Sequence, residues 1–189
     1  MADTFTNDLR LRLQEAGANS NQWGDLLNYT ITNIASAFGS GTEDMASDAD
    51  TTITLADDGS STDEARSLYL KITSSASLTA TRTVTIGPNT ISKVYVIENA
   101  TSGSQSIAIS QGSGANVTIP NGSVKVVHLD GAGSGAAVTD SLVDLHLTGT
   151  TAMAAATIDS RDVGTQSIVS TAPANASGYP NGHVWYVTG

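Results

Sequence analysis

The chain has no cysteine among its 189 residues. That excludes disulfides, thiolate nucleophiles, iron–sulfur clusters and cysteine-ligated zinc. Charge is also scarce: 14% of the residues are Asp, Glu, Lys or Arg, against about 25% in an average soluble domain. The charge present leans to one sign, with 18 acidic residues against 8 basic, a formal net charge of −10 and a pI near 4.3. Such a field repels phosphate backbones, so no nucleic-acid partner is expected. Aromatic residues reach only 5%, too few for the ring platforms of a sugar-cleaving cleft. No apolar run approaches the roughly 20 residues of a membrane-spanning helix. Residues 1–7 have neither a basic nor an apolar signal region, so neither membrane insertion nor Sec export is expected.

Thr, Ser, Ala and Gly fill the gap. The length suits one compact domain, or a small domain with arms, and three zones differ in composition. In residues 1–50, Trp23, Leu26, Leu27, Ile31, Ile34 and Phe38 recur at steps of three and four, which predicts an amphipathic helix. Ser20 and Asn21 are placed to cap its start, and Gly39 stands at its end. Before it, Leu9, Leu11 and Leu13 alternate with polar residues as in a short strand. Residues 39–50 are small and acidic and read as a linker.

From 51 to 139, short strand-like runs recur every 8 to 14 residues. Ile53 and Leu55, Leu70 and Ile72, and Val84 and Ile86 alternate with Thr, Lys or Tyr. Val94–Ile97, Ile107 and Ile109, Val117 and Ile119, and Val124–Leu129 follow. Gly, Pro and Asn punctuate them, and Pro120-Asn121-Gly122 reads as the turn of a hairpin. The pattern predicts an antiparallel sandwich or barrel. Residues 140–189 carry little core material and read as an extended C-terminal arm. Its last strand, with Trp185 and Tyr186, reads as a docking anchor.

The search for reaction chemistry returns little. Ser123, His128 and Asp130 contain the residue types of a nucleophilic triad, but so does any chain this rich in serine. A solvent-facing strand end is the simpler reading of His128. No phosphate-binding glycine motif is present. The loop 56–64 carries Asp57, Asp58, Asp63 and Glu64 among hydroxyls, but lacks the spacing of a calcium-binding loop and reads as a solvated turn. Arg82 breaks the apolar parity of its strand. It reads as an edge residue reaching water, or else as the partner of Asp63 or Glu64. No catalytic residue, metal site or cofactor is therefore expected.

One resemblance concerns the order of the motifs. Leu9-Arg10-Leu11-Arg12-Leu13-Gln14, then Ala18-Asn19-Ser20-Asn21-Gln22-Trp23-Gly24 and the helix to Phe38, is similar to the opening of tail-fibre and virion structural proteins of tailed bacteriophages. Asp63-Glu64-Ala65-Arg66, Leu70-Lys71-Ile72-Thr73, Arg82-Thr83-Val84-Thr85-Ile86, Lys93-Val94-Tyr95-Val96-Ile97-Glu98-Asn99 and Ile119-Pro120-Asn121-Gly122 continue it. The likeness spans residues 9–131. Taken with the three zones read above, the expectation is a mainly β chain with an antiparallel, jelly-roll-like β-sandwich (51–139), an N-terminal strand–helix arm (1–50), which the likeness makes an attachment arm, and the extended C-terminal arm (140–189), where the likeness weakens.

In function the likeness implies a non-enzymatic virion part, a short tail fibre or fibre-base adaptor. It implies a homotrimer that contacts other virion proteins and contributes to binding host-surface glycan or protein. Trp23, Leu26, Leu27, Ile31, Ile34, Phe38, Trp185 and Tyr186 are the expected assembly residues. Capsid decoration or a head fibre is the nearest alternative, and a small carbohydrate-active depolymerase is the more distant one.

Overall fold

A computed structural model describes residues 3–6, 8–57 and 63–144, together with the backbone of two short strands at 166–169 and 184–187. The chain divides into two compact units, residues 1–145 and 146–189. The first is mainly β with one helix. It begins with a two-stranded antiparallel hairpin, β1 (Thr4–Phe5) and β2 (Arg12–Leu13). The helix α1 (Trp23–Ala37) follows. Next come β3 (Ser40–Met45), β4 (Thr51–Thr54), a 3-10 turn at Glu64–Arg66, β5 (Tyr69–Ser74), β6 (Arg82–Gly87), β7 (Lys93–Ala100), β8 (Ile107–Ser110), β9 (Val117–Ile119), β10 (Val124–Leu129) and β11 (Val138–Asp140).

The strands make a five-stranded sheet, β11-β10-β7-β5-β3, and a four-stranded sheet, β4-β6-β8-β9. From β3 to β8 the chain changes sheet at every connection. Each strand therefore lies beside the one two earlier and runs in the same direction: β3, β5 and β7 pair in parallel, as do β4, β6 and β8. The uniformly antiparallel, jelly-roll-like pairing expected from the sequence is thus corrected. Among the described residues of this unit, antiparallel ladders occur only at the hairpin and where β9, β10 and β11 join the sheets. The alternation of apolar and polar residues tells which face a side chain takes, not which way its neighbour runs.

Two further expectations change. Residues 39–50 are not a linker: β3 forms the edge of the five-stranded sheet, with Met45 buried. Its sequence, Ser-Gly-Thr-Glu-Asp-Met, offers one apolar residue, so no period was visible. Pro120-Asn121-Gly122 closes no hairpin, because β9 and β10 belong to different sheets. It makes a tight turn between them, with Ser123 N–H donating to the Pro120 carbonyl at 3.1 Å and Gly122 at φ +73°.

Both sheets supply one buried cluster. Leu70, Ile72, Tyr95, Ile97, Val127 and Leu129 come from the larger sheet, and Ile53, Val84, Ile86, Ile107, Ile109 and Ile119 from the smaller. Each such side chain contributes about 1.5–3 kcal/mol by leaving water. Asn99 is buried among them and satisfies the backbone where the strands end. Its Nδ2 donates to the carbonyls of Gln105 and Ile119, and its Oδ1 accepts from Thr101. In the second unit, β12 (Gln166–Val169) and β13 (Val184–Val187) pair in parallel. Of the expected C-terminal arm (140–189), Asp140 instead ends β11 and residues 141–144 form a turn after it; the rest, apart from these two strands, lies outside the described residues.

Polar contacts at the rim of the first unit are built on carboxylates. Asp48 accepts from Arg82 Nε at 2.7 Å and from both the hydroxyl and the N–H of Thr79. Arg82 therefore pairs with Asp48, not with Asp63 or Glu64. These donors hold the Asp48 carboxyl far below its ordinary range, the Arg82 contact first. Asp3, Asp130, Asp140 and Glu98 are lowered too, by Arg12, by the Ala137 N–H, by Lys125 and by the Tyr69 hydroxyl respectively. Groups whose folded pKa is depressed contribute stability that is present above their unfolded pKa and is lost as pH falls toward the folded one. Thermal melts of the protein should accordingly drop progressively below about pH 4. In Asp48→Asn the drop should be shallower, and an equally steep acid limb in that variant would refute the assignment.

Candidate assembly surface

The helix forms where expected and ends within one residue of the predicted limit. Its capping differs. Gln22 occupies the N-cap position without a side-chain cap, so Ser20 and Asn21 do not cap it. At the other end Gly39 N–H donates to the Ser36 carbonyl at 2.9 Å.

The helix faces its own domain with its small side. Asn33 and Ala37 are its buried residues, and Leu26 is half-buried. The large apolar residues point away: Trp23 is 61% exposed, Leu27 41%, Ile31 55%, Ile34 40% and Phe38 77%. At 3.6 residues per turn these five fall within an arc of roughly 80°. Amphipathic helices ordinarily turn that arc toward a core. Here it is turned away from the domain and forms a contiguous exposed apolar surface. Leu26 stands apart from the other candidates, on the side of the domain. Trp185 and Tyr186 lie on β13, and their side chains are outside the described residues.

A buried polar node, not legible in the sequence, fastens the N-terminal hairpin to the β-unit. Arg66, 2% exposed, donates from Nη1 to the Leu9 carbonyl and from Nη2 to the Ala56 carbonyl at 2.9 Å, and pairs with Asp63 at 3.5 Å. Ser92 N–H donates to Asp8 at 2.9 Å, and Arg10 pairs with Asp57. Beneath the node, Lys93 Nζ donates to the carbonyls of Arg66 and Ser67 at 2.6 and 2.8 Å and sits 3.8 Å from the centre of the Tyr95 ring. Burial, with Arg66 close by, pulls its pKa down to about 7. The Tyr95 hydroxyl donates to the Ala65 carbonyl at 2.7 Å, and burial pushes its pKa up. The donors all end on backbone carbonyls or on the carboxylates of Asp8, Asp57 and Asp63, which is the chemistry of a clasp.

The groups considered for catalysis do not converge. His128 Nε2 lies 3.4 Å from Ser92 Oγ, not from Ser123. Asp130 accepts from the N–H groups of Ala132 and Ala137. In the acidic loop, Asp57 is engaged by Arg10, and Asp63 by Arg66 and by the Ala56 N–H. Residues 58–62 lie outside the described residues. Among the described residues no group of three His, Asp or Glu side chains is arranged to hold a metal ion, and no helix is long and apolar enough to cross a membrane. A polar hollow of about 300 Å³ lies where α1, β3 and the 3-10 turn meet, lined by Ser36, Gly41, Thr42, Asp63, Glu64 and Ser67 among others. No protein-family model, curated protein or solved structure matches the chain.

Proposed function

We propose that the protein is a structural part of a tailed-bacteriophage virion, a short tail fibre or a fibre-base adaptor, and that it works by assembly without catalysis. The observation that carries this reading is the outward apolar stripe of α1. A helix whose large side chains face solvent while Asn33 and Ala37 face its own domain is built for a contact outside that domain. The motif order from residue 9 to 131 supports the virion assignment. The hydroxyl-rich outer positions of the β-unit, such as Thr52, Thr54 and Thr118, suit an exterior module. The two sheets stack as a sandwich around their shared cluster and act as a stiff spacer.

Three copies in one fibre, attached to the tail by their N-terminal parts, would present three such modules to a host-surface glycan or protein. Weak contacts then add through avidity. Capsid decoration is the second reading, since the same stripe would serve on a shell. The test is to purify particles of the source phage, identify the chain in them by mass spectrometry, and locate it with a labelled antibody in electron micrographs. Label at the tail is the expected result and label on the head selects the second reading. A chain absent from particles and present only in the lysate overturns both. Release of reducing ends from host polysaccharide, abolished by replacing one carboxylate, would overturn the non-enzymatic reading in favour of a depolymerase.

A further inference from the structure

We infer that the outer edge of β3 is a docking strip for an extended, basic segment of another protein, which adds to the larger sheet as one further strand. The inference goes beyond the assembly reading above: it concerns a sheet edge, not the helix, and it names the chemistry of the partner.

The edge is open. β3 is the last strand of its sheet and pairs only with β5. Tyr69 N–H donates to the Gly39 carbonyl at 3.1 Å. Backbone groups alternate sides along a strand, so those of Ser40, Thr42 and Asp44 point away from the sheet. Among the described residues these groups have no backbone partner. The opposite end of the two sheets is laced shut. There the N–H groups of Ser113, Gly114 and Val138 donate to the carbonyls of Ser134, Ala136 and Ala115 at 2.9, 3.0 and 2.8 Å. A free row of strand groups on a six-residue edge is a template for an added strand.

Charge selects the occupant. Between Arg12 and Arg66 the chain has ten Asp and Glu residues and no Lys or Arg. Some of these acids already have a cation: Asp48 has Arg82, Asp57 has Arg10 and Asp63 has Arg66. Among the described residues the two acids of β3 have none. Asp44 accepts from the hydroxyls of Thr73 and Ser75 at 3.0 and 2.7 Å. Glu43 is half-buried near Glu64 and Asp63, and burial, then those two charges, raise its pKa. A second copy of β3 laid on this edge would bring like charges together, which destabilises a ladder, so the edge discriminates against its own kind. A strand with two adjacent basic residues satisfies both carboxylates. Successive side chains take opposite faces, so one reaches Glu43 on the inner face and the next reaches Asp44 on the outer.

The probe is a fluorescein-labelled peptide of alternating threonine and valine with two adjacent lysines at its centre. It is added to the full chain at low salt and followed by fluorescence anisotropy. It should bind roughly tenfold or more tighter than the same peptide with two glutamates. On its addition the amide hydrogens of Thr42 and Asp44 should exchange more slowly. Thr42→Pro removes one outward N–H, a change that edge strands tolerate. It should abolish binding and leave the thermal melt in place, and Asp44→Lys should remove the preference for the lysine peptide. Should Thr42→Pro fail to fold, the lysine peptide with every backbone nitrogen methylated decides, and it should not bind the native chain. Four results overturn the inference: a lysine peptide that does not bind at millimolar concentration, equal binding of the methylated peptide, an undiminished preference in Asp44→Lys, or concentration-dependent protection of Thr42 and Asp44 without peptide, which marks a second copy on the edge. Each of them leaves the virion reading standing.

Discussion

Replacing Arg66 with methionine should lower the stability of the first unit by about 3–5 kcal/mol, the range for removing one partner of a buried ion pair, and should set the N-terminal hairpin loose. The guanidinium bridges three separate pieces of chain: the Leu9 carbonyl in the arm, the Ala56 carbonyl after β4 and the Asp63 carboxylate before the 3-10 turn. Methionine fills part of the space but donates nothing, so two carbonyls lose this donor and a nearly buried carboxylate keeps the Ala56 N–H but loses its cation. Denaturant unfolding measures the loss. Trypsin reads the arm, because Arg10 and Arg12 lie within it: the native protein should resist cleavage there, and the variant should be cut early. A loss under about 1 kcal/mol with unchanged proteolysis would mean that the node is incidental.

Gly103→Ala should be nearly as damaging, by a different route. Gly103 has φ +95°, and a Cβ built on it would stand 2.1 Å from the Leu78 carbonyl oxygen and 2.6 Å from its nitrogen. Leu78 cannot retreat, since its side chain is buried in the core and its N–H donates to Ser102 at 3.1 Å. Overpacking against backbone together with the left-handed conformation should cost about 3 kcal/mol or more. Gly122→Ala is the matched control. It too is left-handed, at φ +73°, but a Cβ there meets nothing within 4 Å, so only the conformational cost of about 1–2 kcal/mol remains. Denaturation midpoints at constant slope compare the two. Equal losses would refute the steric account.

Much of this was readable from residue order, within limits that have physical causes. The helix was legible because six apolar residues recur on its period. The strands with two or three buried aliphatics, such as Leu70 and Ile72 or Ile107 and Ile109, announced themselves in the same way. β3 did not, because an edge strand needs only one buried side chain and Met45 is all it has. Strand direction was not legible, since a two-residue period is identical in parallel and antiparallel ladders. The helix stripe identified an apolar surface but not its orientation: Asn33 and Ala37, unremarkable in sequence, proved to be the inward residues. The clasp was missed because its acceptors are backbone carbonyls, which leave no trace in side-chain chemistry. Arg66 and Lys93 look like ordinary surface cations until the fold encloses them.

The winding from sheet to sheet has a consequence for how the molecule is made. Ser40 pairs with Tyr69, and Thr51 with Val84, so the partner of each strand arrives roughly thirty residues later. Local zippering, by which a hairpin folds in microseconds, is not open to these strands. Loop-closure entropy must be spent before any ladder forms, which places folding among the slow, topologically complex β proteins, at milliseconds to seconds. During synthesis β3 and β4 must wait unpaired until β5 and β6 have left the ribosome.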